Sequence, residues 1–355
     1  MLTGEWFEGV YKDGERQGFF REFGIDNHLK EFTRYQRNKR VGWTYEGKLG
    51  GGYLIGLLDH DGKMTGDNII YMYPDFRTGL RGSFQDGVMI SAQLSTILSS
   101  EEVDGVCIPV LSEPKSEDIY FFDPATSTRI SRQPLLQDPW ERSLVEVKMS
   151  KLDQAGHGLF AREEIPKKTV VALFAGIRLK EHQLAKHKKS NYRIILNSAI
   201  NLDIPQDCIC ISNYCATLAH KANHSFTPNS EWSIFEHPRF GLIRAISAKQ
   251  DIQVGEEILV NYNIELSTAP EWYRILWLRH LMEDKHWTLQ DVERFMDRHY
   301  DLSFKKIPLP TSLILQVPTP FGASTEEEEE QAVEEEEEEE GKEEKYGERK
   351  EIEEK

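Results

Sequence analysis

The chain has 355 residues and a formal net charge of −17, and 39% of its residues are hydrophobic, including 13 Tyr, 17 Phe and 7 Trp. This is enough apolar material for the cores of two domains of ordinary size. The charge is uneven, since residues 326–355 hold 18 Glu against five Lys and Arg, which leaves −4 for residues 1–325. The acidic end is predicted to be disordered, because its like charges repel and it has little apolar surface to bury. It is either a solubilising extension or a tail that attracts basic partners.

Three features of the sequence argue against a secreted protein, a membrane-spanning protein and a disulfide scaffold. The start, Met1-Leu-Thr-Gly-Glu, has neither the basic region nor the apolar run of a signal peptide. No stretch approaches the roughly 18 apolar residues of a membrane helix. Four cysteines in a chain of this length argue against a disulfide scaffold and fit a reducing compartment. We therefore expect a protein of the nucleus or cytoplasm without a membrane span.

The first 92 residues carry a repeat. An aromatic residue or Leu recurs at spacings of 25, 22 and 26 residues, in most copies followed two positions later by Gly, with anchors at Phe7, Phe32, Leu54 and Leu80. Asp-Gly pairs, a strong hairpin signal, follow three of these anchors, at residues 13–14, 61–62 and 86–87. One hairpin per period of about 23 residues predicts a β array over 1–92. Residues 93–140 are predicted to connect this array to the next domain.

Residues 141–268 show mostly short strand patterns. Val145–Met149 and Ala199–Ile204 alternate, Thr169–Phe174 is an apolar run, and the helix signal is confined to Leu179–Lys188. The pattern predicts a second, mainly β domain.

Two segments of this domain carry the functional signal. The first runs from Asn223 to Asn229 (Asn-His-Ser-Phe-Thr-Pro-Asn), and the second runs from Gly255 to Tyr262 (Gly-Glu-Glu-Ile-Leu-Val-Asn-Tyr). In this order and at this separation they resemble the signature segments of the SET-domain protein lysine methyltransferases. The N-terminal repeat resembles the MORN module that precedes the SET domain in some members. The resemblance implies small curved sheets and a pseudoknot, in which the C-terminal segment is threaded through a preceding loop.

The resemblance also implies a site and a cofactor. Tyr262 matches the catalytic tyrosine of the family, and the expected cofactor is S-adenosylmethionine, with no metal. The positions that match cofactor contacts are Ala155, Gly156, His157, Asn223, His224 and Trp272. The candidate residues of the lysine channel are Phe174, Trp232, Ile264, His220 and Lys221.

The channel departs from the pattern of the MORN-plus-SET members. Phe174, Trp232 and Ile264 stand where those enzymes have tyrosines, and Leu276 stands where they have a glutamate near the adenine. Those hydroxyls bind the amine and its waters, so the channel here is more apolar, and the number of methyl groups transferred cannot be carried over.

The spacing Cys208-x-Cys210-x₄-Cys215 is that of a zinc motif of the family, but the motif there follows the catalytic tyrosine. We interpret Cys208–Ile211 instead as a strand that buries small residues, since a structural zinc site needs four ligands. Residues 269–305 are predicted to be helical, with one helix over Glu271–Asp284 and a second beginning at the capping box Thr288–Asp291. Residues 306–355 are predicted to be a linker and the acidic tail.

Three functions remain open. The first is an active protein lysine methyltransferase, a monomer that acts on histone tails such as that of H3, with no direct contact to nucleic acid expected. The second is a SET scaffold that binds cofactor or peptide but transfers slowly or not at all. The third is a lipid-binding or protein-binding protein that works through its MORN repeats.

Overall fold

The structure is a computed structural model that describes residues 4–25, 27–152, 155–187, 190–266 and 268–299. The predicted linker and acidic tail lie outside the described residues. The chain divides into two compact units, residues 1–148 with 158–262, and residues 149–157 with 263–355.

None of the helices in the described part of the chain is long and apolar enough to cross a membrane.

The first unit begins with a nine-stranded antiparallel sheet in which every strand pairs with the next strand along the chain. Tight turns produce this order. At Asp13-Gly14 and at Asp86-Gly87 both residues have positive φ, the conformation of a hairpin turn that matches the twist of the strands. The strands are β1 (Trp6–Lys12), β2 (Glu15–Phe23), β3 (Leu29–Gln36), β4 (Lys39–Gly47), β5 (Tyr53–Leu57), β6 (Gly66–Met72), β7 (Thr78–Gln85), β8 (Val88–Val103) and β9 (Val106–Leu111).

The sheet continues beyond residue 92, the predicted end of the array, which falls inside β8. Strands β8 and β9 are joined by Asp104-Gly105, where φ is 52° and 80°. This is the same dipeptide that marks the earlier hairpins, so the sequence contained the signal for the last hairpin as well.

The rest of the first unit forms three small sheets, as predicted for a mainly β domain. Their strand orders are β10-β11-β19-β16, β12-β18-β17 and β13-β15-β14. Two short helices are α1 (Pro139–Leu144) and α2 (Glu181–Leu184). The strands are β10 (Val145–Met149), β11 (His157–Ala161), β12 (Val170–Phe174), β13 (Ile177–Lys180), β14 (Arg193–Ile195), β15 (Ile200–Asp203), β16 (Asn223–His224), β17 (Ser230–His237), β18 (Gly241–Ala248) and β19 (Glu257–Val260).

Two local predictions were wrong. The helix predicted over Leu179–Lys188 is reduced to α2, because the start of that segment pairs as β13 with β15. The strand predicted for Cys208–Ile211 is absent, since β15 ends at Asp203 and Gln206–Cys208 forms a 3₁₀ turn. Cys210 is exposed and so is Ile211, hence this segment buries no row of small side chains.

The second unit contains the two predicted C-terminal helices, α3 (Glu271–Glu283) and α4 (Leu289–His299). The capping box is present: the backbone N–H of Asp291 donates to Thr288 Oγ1 at 3.3 Å, and that of Thr288 donates to Asp291 Oδ2 at 3.0 Å. The helices pack through aromatic rings, with the Phe295 ring centroid 5.8 Å from that of Trp277.

A buried polar cluster joins the nine-stranded sheet to the small sheets within the first unit. Asp138 Oδ2 accepts a hydrogen bond from the Tyr73 hydroxyl at 3.0 Å and lies 2.9 Å from His237 Nε2. His237 Nδ1 accepts the backbone N–H of Arg239, which places the ring proton on Nε2, facing the carboxylate. Burial acts to raise the pKa of Asp138, but the interactions with His237 outweigh it and lower the pKa. Asp138 is thus a buried carboxylate whose stability depends on its partners.

We expect Asp138→Asn to lower the free energy of unfolding by about 3 kcal/mol or more, because an amide cannot accept at both positions and buried donors such as the Tyr73 hydroxyl and the His237 N–H lose their acceptor. Tyr73→Phe removes one hydrogen bond to the same oxygen and should cost only about 1 kcal/mol. Urea denaturation of both variants and the wild type measures the two differences. Equal, small losses would show that the pair does not hold the sheets together.

Candidate active site

The two signature segments meet through a short parallel pairing. Asn223 pairs with Leu259 and His224 with Val260, between strands β16 and β19. This brings the residues after β19 beside β16: the backbone N–H of Tyr262 donates to His224 Nδ1 at 3.2 Å, and the two ring centroids lie 5.2 Å apart. Residues 38 positions apart in the sequence therefore share one site.

Side chains of residues that follow β16 also hydrogen-bond to the backbone of β19. Asn229 donates from its amide to the carbonyl of Glu257 at 2.8 Å and accepts the backbone N–H of Leu259 at 2.9 Å. Ser230 Oγ donates to the carbonyl of Leu259 at 2.7 Å. Side chains thus supply polar partners to the backbone of a buried four-residue strand, and this explains the Pro-Asn end of the first segment.

The side chain of Asn223 is held in one orientation. Its Nδ2 donates to Glu257 Oε1 at 3.0 Å, and both residues are buried. Gly158 lies against this pair, and a Cβ at that position would overlap Glu257 Oε1 and come within 3.1 Å of Asn223 Nδ2. Gly158 is needed because a larger residue would displace the Asn223–Glu257 bond.

The Tyr262 hydroxyl donates to the backbone carbonyl of Ala222 at 2.9 Å. Tyr262 as a whole is partly exposed, but its hydroxyl end is surrounded by protein. Burial raises the pKa of Tyr262 well above its ordinary value, and the neighbouring Tyr192 and Glu257 act in the same direction. The phenol is therefore neutral at physiological pH, so it can accept a hydrogen bond or align a ligand but does not act as a base.

Apolar rings occupy two of the positions predicted to line the lysine channel. Phe174, at the end of β12, is buried and packs edge-on against Trp232 of β17, with ring centroids 6.0 Å apart. The Trp232 indole N–H donates to the carbonyl of Asn261 at 3.1 Å, so it holds the residue that precedes Tyr262. The structure brings these two candidate residues into the same unit as Asn223 and Tyr262.

His220 is a buried histidine that is strongly resistant to protonation. It is 5% exposed, and neither ring nitrogen makes a well-formed hydrogen bond to the described residues. Its ring lies 5.7 Å from that of Tyr214 and 6.3 Å from that of Tyr192. Burial, helped by the adjacent Lys221, lowers the pKa of His220 to about 3. Lys221 itself is partly exposed.

The other candidate residues belong to the second unit. Gly156 has a φ of 63°, which glycine adopts without strain, in a loop closed by the hydrogen bond from Ser150 N–H to the Gly156 carbonyl at 2.7 Å. Trp272 is buried in the first turn of α3. Ala155 and Ile264 are partly buried and His157 is exposed. Their roles at the site remain predictions.

Sequence reasoning missed three residues that build the site. Asn229 and Glu257 were part of the two segments, but their roles as anchors of β19 and of the Asn223 amide depend on contacts across the fold. Tyr192, whose pKa burial raises to about 12, lies in a segment with no motif. A pattern in a single sequence carries no signal for it.

Comparison with protein families assigns two parts of the chain. Residues 35–105 match the family described as the histone H3 K4-specific methyltransferase SET7 N-terminal region. Residues 156–263 match the SET domain. These matches confirm the predicted resemblance and the mainly β fold of an N-terminal array followed by a SET domain.

The chain is similar in sequence to known histone-lysine N-methyltransferases. The chain is 34% identical over 264 residues to histone-lysine N-methyltransferase SETD7 of Halocynthia roretzi, which covers 71% of this chain and 68% of the relative. It is 28% identical over 146 residues to a histone-lysine N-methyltransferase of Mycosarcoma maydis described as H3 lysine-36 specific, covering 40% of this chain and 14% of that protein. Among solved structures, a humanized mutant of Chaetomium thermophilum Polycomb Repressive Complex 2 bound to the inhibitor GSK126 matches 34% of this chain and 15% of its own, at 23% identity and a TM-score of 0.27.

The pKa of His220 gives the stability a dependence on pH. The unfolded imidazole takes up a proton near pH 6.5, whereas the folded one resists protonation down to about 3, so the stabilisation is complete above pH 6.5 and is lost as the pH falls towards 3. Between about pH 7.5 and about pH 5, the wild type should lose about 2 kcal/mol more unfolding free energy than His220→Phe, as measured by urea denaturation. Parallel losses in the two proteins would show that His220 is protonated in the folded state.

Proposed function

The chain belongs to the family of the SETD7 histone-lysine N-methyltransferases, and we propose that it transfers a methyl group from S-adenosylmethionine to the side-chain nitrogen of a protein lysine. Histone H3 and other nuclear proteins are the proposed acceptors, since H3 is named in the descriptions of the matching SET7 family and of the Mycosarcoma maydis relative. A nuclear or cytoplasmic location fits these acceptors.

The observation that carries the proposal is the junction of Asn223, His224 and Tyr262. Parallel pairing places the three residues together, and the Tyr262 hydroxyl is directed at the Ala222 carbonyl, 2.9 Å away. The two oxygens form a fixed polar pair, and Trp232, which packs against Phe174, donates to the carbonyl of the residue that precedes Tyr262. A preorganised acceptor pair in an apolar surround is the arrangement that can align an amine for attack.

The described residues fit an amino-acid-like cofactor. Strand β16, which consists of Asn223 and His224, is the last strand in the order of its sheet. The Asn223 amide adds a side chain held in one orientation by Glu257. SET-domain methyltransferases use S-adenosylmethionine, which supplies an activated methyl group on a sulfonium. We propose Asn223, His224, Ala155, Gly156, His157 and Trp272 as the residues that hold it.

Methyl transfer also requires that the bound substrate lysine be in its neutral form. A lysine with an ordinary pKa of about 10.4 must lose its proton at a cost of about 4–5 kcal/mol at pH 7. Burial against the packed rings of Phe174 and Trp232 lowers this cost, because an apolar surround disfavours the ammonium ion. The neutral Tyr262 phenol and the Ala222 carbonyl then accept hydrogen bonds from the amine and direct its lone pair. Lys221 and Ile264 are proposed as further residues of the channel, and His220 adds a neutral, buried ring.

A second candidate function follows from the composition of the channel. Phe174, Trp232 and Ile264 carry no hydroxyl, and the single N–H of Trp232 is engaged with Asn261. Fewer polar groups for the amine favour slow transfer, so a scaffold that binds cofactor and peptide is the alternative.

Replacing Tyr262 by Phe tests the proposed reaction. Transfer of labelled methyl from S-adenosylmethionine to recombinant histone H3 and to a cell extract should fall about 10²-fold, the scale for loss of one preorganised polar group. Cofactor binding, measured by calorimetry, should stay unchanged, because the Tyr262 hydroxyl contacts the Ala222 carbonyl and, in the proposed complex, the substrate lysine. Tyr73→Phe is the matched control, since it removes a buried hydroxyl that lies outside the site, and its transfer rate should equal that of the wild type.

Two other results would each reject the proposal. Equal transfer rates for the wild type and Tyr262→Phe would place the chemistry elsewhere. Measurable cofactor binding without transfer by the wild type would favour the scaffold, and Trp232→Tyr with Ile264→Tyr would then be the first attempt to restore activity.

A further inference from the structure

A buried glutamate of α1 lies between the two segments that carry the channel residues. Glu141 is 1% exposed, and its Oε1 accepts the backbone N–H of Leu173 at 2.7 Å and that of Leu218 at 2.8 Å. Leu173 directly precedes Phe174 at the end of β12. Leu218 lies two residues before His220, on the segment that leads to β16. One oxygen atom thus links two segments that are 45 residues apart in the sequence.

The two segments depend on side chains for their relative position. Ala175 N–H donates to Thr217 Oγ1 at 3.3 Å, and the Tyr214 hydroxyl lies 2.7 Å from the same Thr217 oxygen. The Tyr214 hydroxyl also donates to the Ala175 carbonyl at 3.3 Å, so these bonds between the segments are long. The two bonds of Glu141 are shorter and connect two backbone N–H groups through a single atom. We infer that Glu141 is a positioning residue for methyl transfer, which holds Phe174 and the His220 segment at the separation that the lysine channel requires. The inference rests on the proposed function and goes beyond it by naming what sets the width of the channel.

The geometry also predicts which property of Glu141 matters. Oε2 is buried and has no hydrogen-bond partner among the described residues, so Oε1 alone makes the link. Burial raises the pKa of Glu141 well above its ordinary value and nearby Asp138 adds to this, while the hydrogen bonds from Leu173 and Leu218 act in the opposite direction. A carboxyl group and a carboxamide both present an oxygen that can accept two hydrogen bonds. We therefore expect Glu141→Gln to keep the link between the two segments. Glu141→Met, of similar length but without an acceptor, should lose it.

The test compares Glu141→Gln and Glu141→Met with the wild type in the full chain. Methyl transfer to histone H3 gives kcat and KM, calorimetry gives the dissociation constant of S-adenosylmethionine, and hydrogen exchange gives the protection of the Leu173 and Leu218 amides. In Glu141→Met we expect both amides to exchange at least about 10-fold faster and kcat to fall about 10-fold to 100-fold, because small displacements of reacting groups cost this much. Cofactor binding should change less than about 3-fold, and Glu141→Gln should match the wild type within about 3-fold in all readouts.

Ser143→Ala is the matched control on the same helix, since it removes the bond from Ser143 Oγ to the Trp140 carbonyl without touching either segment. It should leave kcat and both amides unchanged. Wild-type kcat in Glu141→Met would overturn the inference, and so would equal loss in Glu141→Gln and Glu141→Met, because the acceptor oxygen would then not be the property that matters. The proposed function would be rejected if the wild-type protein labelled no histone lysine. The link would be rejected independently if the Leu173 and Leu218 amides stayed as protected in Glu141→Met as in the wild type.

Discussion

The parallel pairing of β16 with β19 is the contact on which the site depends. Only two residue pairs make it, Asn223 with Leu259 and His224 with Val260, yet it places the Tyr262 ring beside that of His224. So short a pairing is weak by itself, because two strands of this length bury little and bond little. The side chains of Asn229, Ser230 and Trp232 supply further bonds to the backbone of residues 257–261. The polar side chains at the end of the first segment and just after it therefore serve mainly to hold the backbone of the second segment in place.

Two acidic residues of one helical turn link this site to the rest of the first unit. Asp138 is a charged carboxylate that joins the start of α1 to Tyr73, the residue after β6, and to His237 of β17. Glu141, three residues later, has a pKa that burial raises, and it accepts backbone N–H groups on both sides of the predicted channel. The difference follows from their partners, since Asp138 has an imidazole N–H, a hydroxyl and two backbone N–H groups, whereas Glu141 has backbone N–H groups on one oxygen only. The repeat array is in this way packed directly onto the elements that shape the site.

The sequence was most informative where a local pattern has a local cause. Asp-Gly turns, the Thr288 capping box and the C-terminal helices were predictable from short-range chemistry, and the two signature segments identified the family. The prediction of a strand at Cys208–Ile211 was wrong, because four alternating residues are too few to outweigh the turn that follows Pro205. Glu141 and Tyr192 could not be found, because their roles come from contacts with residues tens of positions away. Such contacts leave no trace in a single sequence.

The chemical identity of the methylated atom tests the proposed activity most directly. Histone H3 and extract proteins incubated with the full chain and S-adenosylmethionine carrying an isotopically labelled methyl group would be digested and sequenced by tandem mass spectrometry. We expect the label on the Nζ atom of lysine, because a neutral phenol and a carbonyl beside apolar rings suit an amine that has lost its charge. Label confined to arginine, histidine or a carboxylate, or no label despite bound cofactor, would contradict lysine methylation as the function of this site.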